Sequence, residues 1–225
     1  MSLKLVIANK RYSSWSMRPW LVMRAFGVPF DELVIPLRTP QTKELISRLS
    51  PSGKVPVLID GDALVWESLA IIEYLAEKFP QVAIWPKDVF ARAQARSISI
   101  EMHGGFLPLR QALPMNLVKR FRTPQMSEDV QANVARIEQI WRETAAEFAG
   151  RGDFLLGDFS AADAMFAPVV TRFETYQIPV APDTRRYMDN VLNHSAVLAW
   201  KAAALAEPWT ITDYEAGHEA VETVN

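Results

Sequence analysis

The stretch from Gly53 to Leu75, GKVPVLIDGDALVWESLAIIEYL, constrains the fold more than any other part of the chain. Val55, Val57 and Ile59 alternate as a strand requires. Asp60-Gly61-Asp62 is a hairpin turn, and Ala63 to Trp66 returns as a second strand. From Ser68 onward, Leu69, Ile72, Leu75, Ala76 and Phe79 recur at helical spacing. Pro56 lies inside the first of these strands, where it removes a ladder donor, so it belongs at an edge or in a cis turn. Glu67-Ser68 stands at the helix start, where unpaired N–H groups and the helix dipole hold anions. An edge strand beside such a helix start suits an extended peptide that carries a carboxylate.

Around this stretch the chain reads as two regions. Leu3 to Ala8 is a strand, and Lys10 to Ser16 a polar loop holding three serines. A helix runs from about Ser16 to Phe26, because Pro19 fits only a first turn. Phe30 to Leu37 is a strand and Thr39 to Leu49 a short polar helix. The order is β-α-β-α-β-β-α, with the first two strands parallel by the right-handed crossover rule. Pro80 to Pro86 is a linker, after which no strand pattern is found. Asp88 to Gly104 is helical, Phe106 to Phe121 is a kinked or divided helix, and Ser127 to Phe148 is a long one. Ser160 with Asp163 forms a capping box for a core helix, and Asp183 to Leu192 and Ser195 to Ala206 follow. The expected fold is therefore α/β plus all-α: a thioredoxin-like domain over 1–80 and a helical domain over 87–225.

Composition matters mainly through what it removes. The 225 residues include no cysteine, which excludes disulfides, thiolate metal sites and any mechanism through a protein thiol. A net charge of −2 gives no reason to expect nucleic acid or a membrane surface as partner. No apolar run reaches the roughly 20 residues of a membrane helix, and MSLKLVIANK reads as a strand rather than an export signal, so a cytoplasmic setting is expected. His103, His194 and His218 have no metal-ligand spacing, and no metal is expected.

Tyr12-Ser13-Ser14-Trp15-Ser16-Met17-Arg18 follows the first strand and opens the first helix. A thiolate placed there would face helix N–H groups and a hydroxyl donor, both of which lower a thiol pKa. Serine is also a preferred N-cap, and Ser16 is assigned that role.

Taken together, Val55-Pro56, Glu67-Ser68 and the run ESLAIIEYLAEKFP resemble the glutathione-binding half of the glutathione transferase family. Ser13-Ser14-Trp15-Ser16-Met17-Arg18 is similar to the Ser-Ser-Cys-Ser-x-Arg motif of the zeta class, with Trp15 in place of the cysteine. The likeness covers nearly the whole chain. It implies glutathione as cosubstrate, a small electrophilic second substrate and a homodimer. It gives the thiolate to Ser13, with Ser14 a close second and Tyr12 a weaker rival. It gives the γ-glutamyl end to Glu67 and Ser68, the cysteinyl part to the Val55 backbone before Pro56, and a further contact to Lys54.

Gly104 to Gln111 resembles a zeta-class segment near the site, in which Arg110 stands where the family has glutamine. The second-substrate wall is expected from Trp15, Phe106, Arg110, Met115, Arg172 and Tyr176. Counting from Asp163, the zeta-class arginine for a substrate carboxylate falls on Thr175, with Arg172 nearly one turn earlier. Conjugation of glutathione to an electrophile is the expected reaction. Isomerisation of a maleyl-type diacid is the alternative, expected weak because of Trp15 and Thr175. A non-catalytic binding protein is a third reading.

Overall fold

The computed structural model describes residues 2–215 and 217–224. Strand β1 (Leu3–Ala8) leads into helix α1 (Ser14–Ala25), strand β2 (Phe30–Ile35) and helix α2 (Thr42–Leu49). The hairpin β3 (Val57–Asp60) and β4 (Ala63–Trp66) follows, then α3 (Ser68–Lys78). The strand order is β2-β1-β3-β4, with β1 and β2 parallel and β3 and β4 antiparallel to their neighbours. Alternation along β1 sends Leu3, Leu5 and Ile7 to the main core. It sends Val6 to a smaller cluster with Ile35, Ile46 and Val57. The sheet is thus covered on both faces, α2 supplying the smaller one through Ile46.

Residues 79–88 hold no helix or strand. Beyond them come α4 (Val89–Gly104), α5 (Leu107–Ala112), α6 (Glu128–Glu147), α7 (Ala161–Thr175), α8 (Pro182–Asn193) and α9 (Ser195–Ala206). Helix α7 is buried along almost its whole length and is the centre of the helical domain. The capping box at its start is present: Ser160 and Asp163 satisfy each other's backbone ends. Gly105 ends α4, and a side chain there would meet the Glu101 carbonyl oxygen at 2.6 Å.

Three expectations are corrected. Helix α1 begins at Ser14 and its N-cap is Ser13, not Ser16. The Ser16 hydroxyl instead accepts the Ala8 N–H at 3.1 Å, joining the helix to the end of β1. Pro19 then lies well inside the helix, where it leaves the Trp15 carbonyl without its usual donor. The helix expected over Phe106 to Phe121 stops at Ala112. After it come extended chain and a strand, β5 (Lys119–Phe121), which pairs antiparallel with β6 (Ala220–Thr223). The helical domain therefore carries a small two-stranded ladder, closed by residues a hundred positions apart in the chain.

The loop between β1 and α1 is held from the helical side. Arg11 donates from Nε to the Ala204 carbonyl at 2.8 Å and from Nη2 to that of Leu205 at 3.1 Å, where α9 ends. The Glu207 carboxylate accepts the Lys10 and Arg11 amides at 2.7 and 3.2 Å. Trp200 donates its indole N–H to the Lys10 carbonyl at 3.0 Å. Charge-assisted bonds of this kind are worth about 1.5–3 kcal/mol each. They fix the chain immediately before the serines.

Candidate active site

The Val55–Pro56 peptide bond is cis, and Val55 lies just ahead of β3, outside its ladder. Across from it, Glu67 takes a left-handed backbone conformation, φ 68°, as the N-cap of α3. Its carboxylate does not cap the helix. It lies half exposed, 3.7 Å from the His103 Nε2 of α4. Ser68 is buried, and its hydroxyl has no hydrogen-bond partner among the described residues. These groups, with Ser52, Lys54 and Trp15, line a groove of about 200 Å³. A buried hydroxyl without a partner costs roughly 1–3 kcal/mol, a cost that a polar group entering the groove would offset.

A second, wider cleft of about 470 Å³ continues from this groove. Ser13, Ser14, Trp15 and Val55 contribute from the first domain; Arg110, Met115, Arg172 and Tyr214 contribute from the helical side. Lys54, Arg110 and Arg172 give the lining three cations, and among the described residues it holds no carboxylate. Trp15, Lys54 and Val55 line both spaces and form their shared wall.

The two serines differ in what they already bind. The Ser13 hydroxyl donates to the Ser16 hydroxyl oxygen at 2.7 Å and accepts the Ser16 amide at 3.4 Å, as a cap does. The Ser14 hydroxyl oxygen accepts from Arg172 Nη2 at 3.3 Å, and its own proton has no acceptor among the described residues. Arg172 is aimed there by two carbonyls: its Nε donates to Leu113 at 2.9 Å and its Nη1 to Pro168 at 3.1 Å. Burial and the neighbouring Arg110 push the Arg172 guanidinium down to about 10, still charged at neutral pH. The Tyr12 hydroxyl is committed elsewhere, donating to Glu215 at 2.8 Å. Burial and that carboxylate raise its pKa to about 12.

Arg18, one helical turn beyond Ser14, is fully buried, and none of its guanidinium nitrogens has a hydrogen-bond partner among the described residues. Burial and the charges of Arg172 and Arg110 hold its pKa well below the usual range. Its guanidinium carbon lies 4.2 Å from the Trp15 ring centroid, and that of Arg110 lies 5.0 Å away. His103 packs against the same ring at 5.1 Å. Burial and Arg18 lower the His103 pKa, with Glu67 opposing.

Two residues expected on the second-substrate wall are not in the cleft. Phe106 is buried as the N-cap of α5, and the adjacent, exposed Leu107 takes its place in the lining. Tyr176 is fully buried, stacked on Phe121 and donating its hydroxyl to the Pro114 carbonyl at 3.0 Å. Thr175, where the count from Asp163 falls, is buried too and donates to the Asn116 carbonyl at 2.7 Å. Arg172 faces the cleft instead. Arg18 and Tyr214 were missed. Arg18 stood in the quoted serine motif without a role, whereas no periodic pattern surrounds Tyr214.

The family description "Glutathione S-transferase, N-terminal domain" matches residues 12–78, and "Glutathione S-transferase, C-terminal domain" matches residues 127–200. The chain is 30% identical over 177 residues to a maleylacetoacetate isomerase of Mus musculus, covering 75% of this chain and 77% of that one. It is 29% identical over 203 residues to the maleylacetoacetate isomerase of Rattus norvegicus, covering 87% of each. Among solved structures, a glutathione transferase homolog from Burkholderia with bound glutathione superposes with a TM-score of 0.70 at 23% identity, over 91% of this chain and 98% of that one. A bacterial zeta-class maleyl pyruvate isomerase superposes with a TM-score of 0.68 at 21% identity, over 92% of this chain and 100% of the other. With both domain descriptions matched in order and the cis-proline groove opening onto the serine loop, the chain belongs to the glutathione transferase family, with its similarities running to the zeta class.

Proposed function

We propose that the protein binds glutathione in the groove at Val55, Glu67 and Ser68 and ionises its thiol at the start of α1. The thiolate then attacks a small anionic, electron-poor acceptor in the adjoining cleft. The observation that carries this reading is the cleft lining: three cations and, among the described residues, no carboxylate, with Arg172 oriented by two carbonyls toward Ser14. A cationic side chain held this way binds a carboxylate through charge-assisted hydrogen bonds. The Val55 backbone pairs with the cysteinyl unit, Glu67 receives the γ-glutamyl ammonium, and the Ser68 hydroxyl and the amides of the α3 start receive the γ-glutamyl carboxylate.

The reaction favoured by this cleft is isomerisation of an unsaturated diacid. The thiolate adds to the activated double bond, the resulting single bond rotates, and the thiolate leaves, so that glutathione is returned unchanged. The expectation of weak isomerase activity rested partly on Thr175, and it is revised because Arg172 supplies the cation that Thr175 lacks. Conjugation is the second reading, favoured by Trp15 in place of the cysteine. It differs only in that the adduct is released rather than cleaved. The test is incubation with glutathione and a cis-unsaturated diacid, followed by mass and proton spectra. A product of unchanged mass and trans geometry is expected. A glutathione adduct as the sole product would establish conjugation. Arg172→Ala should raise the KM for the diacid roughly ten- to a hundredfold. An unchanged KM, with neutral acceptors turned over better than diacids, would overturn the anionic acceptor.

A further inference from the structure

The ring of Trp15 is shared by two guanidinium groups in different surroundings. Arg18 is sealed in the interior without a hydrogen-bond partner among the described residues, and its guanidinium carbon lies 4.2 Å from the ring centroid. Arg110 is half-buried on α5, lines the acceptor cleft and lies 5.0 Å from the same ring. Among the described residues, the only hydrogen bond of the Arg110 guanidinium runs from Nη1 to the His103 carbonyl at a long 3.3 Å. No carboxylate pairs with either arginine in an ion pair among the described residues. An indole is the strongest side-chain π partner for a cation, and its attraction grows as water is removed.

From this we infer that Trp15 is a positioning residue that sets the acceptor preference. Its ring offsets the burial of Arg18 and holds Arg110 over the cleft, so the site's selectivity for anions depends on the indole. This deepens the anionic-acceptor reading and rests on it. Trp15 also lines the groove, but the polar contacts proposed for glutathione come from Val55, Glu67 and Ser68, so the effect should fall more heavily on the acceptor than on glutathione. Trp15 replaces a cysteine of the resembled motif, and a cysteine has no π face.

The experiment titrates the glutathione-saturated protein with fumarate and with its neutral diamide, by calorimetry, and titrates the ligand-free protein with glutathione. Four proteins are compared: the unsubstituted chain, Trp15→Phe, Trp15→Leu, and Trp15→Leu combined with Arg18→Met. The unsubstituted protein should prefer fumarate to the diamide. Trp15→Leu should weaken fumarate about tenfold and glutathione by a clearly smaller factor, and Trp15→Phe should recover most of the loss. Arg18→Met removes the buried charge, so the double variant should regain the thermal stability lost in Trp15→Leu while its fumarate affinity stays low. If the single Leu variant does not fold, the double variant carries the comparison. Equal weakening of fumarate and glutathione, or full recovery of fumarate binding in the double variant, would make Trp15 a structural wall only and overturn the inference. Fumarate binding unaffected by Trp15→Leu would overturn it as well. No preference for fumarate in the unsubstituted protein would instead overturn the anionic-acceptor reading, and this inference with it.

Discussion

Ser13 and Ser14 are adjacent in the chain and face one cleft, yet their hydroxyl protons go to different places. Ser13 spends its proton on Ser16 and its lone pair on the helix start. Ser14 accepts from Arg172, and its proton has no acceptor among the described residues. We therefore propose Ser14 as the donor to the sulfur, whereas the resemblance gives that role to Ser13 with Ser14 a close second. A thiol near pKa 8.5 needs about 2.7 kcal/mol to fall by about two units. A hydrogen bond to the charged sulfur supplies about 1.5–3 kcal/mol and the helix start about 0.3–1 more, with Arg172 adding to both. Ser14→Ala should therefore raise the thiolate midpoint of bound glutathione, read by ultraviolet absorbance against pH, by about one unit. Ser13→Ala should instead cost about 1 kcal/mol of folding stability through the lost cap. A midpoint that moves only in Ser13→Ala would return the sulfur to Ser13. Much of this site could be read from the chain, because the cis-proline, the Glu-Ser helix start and the serine loop are local signals. Counting along the helix put the carboxylate-binding position at Thr175, nearly one turn beyond Arg172, yet Arg172 lines the cleft, since linear spacing does not say which side of a buried helix meets a cleft. Phe106 and Tyr176 were expected in the cleft for being large and apolar, a property that core and pocket walls share.

Among the elements, α7 carries the largest electrostatic commitment. The Asp163 carboxylate accepts from the Leu155 amide, the Ser160 amide and hydroxyl, and the Tyr187 hydroxyl, at 2.9 to 3.2 Å. Complete burial nevertheless dominates and raises its pKa from 3.8 to about 6. The folded form therefore prefers the proton more than the unfolded chain does. The stability this contributes is full below about pH 3.8 and is lost as the pH rises through about 6. The span amounts to about 3 kcal/mol at 1.36 kcal/mol per unit. Urea unfolding from pH 4 to pH 7 should show the stability gap between the unsubstituted protein and Asp163→Asn narrowing as the pH rises. A gap that stays constant would show the carboxyl to be ionised throughout. The capping box itself was legible because Ser160 and Asp163 sit three residues apart before an apolar run. The β5–β6 ladder was not: three residues against four, in distant parts of the chain, produce no period in any local window.

For the whole molecule, the outer face of α4 leaves Val89, Phe90 and Ile100 exposed, Phe90 to 84%. Trp66 on β4 is 43% exposed. Large aromatic side chains left open to water on a packed domain mark a surface that meets another protein. We propose that this surface joins two copies about a two-fold axis, as the family resemblance implies. Sedimentation at micromolar concentration should give a dimer, and Phe90→Asp should shift it toward monomer without loss of helical signal. Monomer alone in the unsubstituted protein would overturn this. No helix among the described residues is long and apolar enough to cross a membrane.

The last stretch of chain has a consequence for how the enzyme comes into being. Tyr214 walls the acceptor cleft and packs on Tyr12, Glu215 takes the Tyr12 hydroxyl and the Lys119 ammonium, and β6 completes its ladder with β5. Residues 214–223 are synthesised after the helices of both domains, and so after the Tyr12, Lys119 and β5 partners they meet. While they are still inside the exit tunnel, the glutathione groove has its whole sequence outside and the acceptor cleft lacks one wall. On the proposed reading, a nascent chain at that stage has its glutathione groove before its acceptor cleft, so the order of synthesis is also the order in which the two substrates acquire their sites.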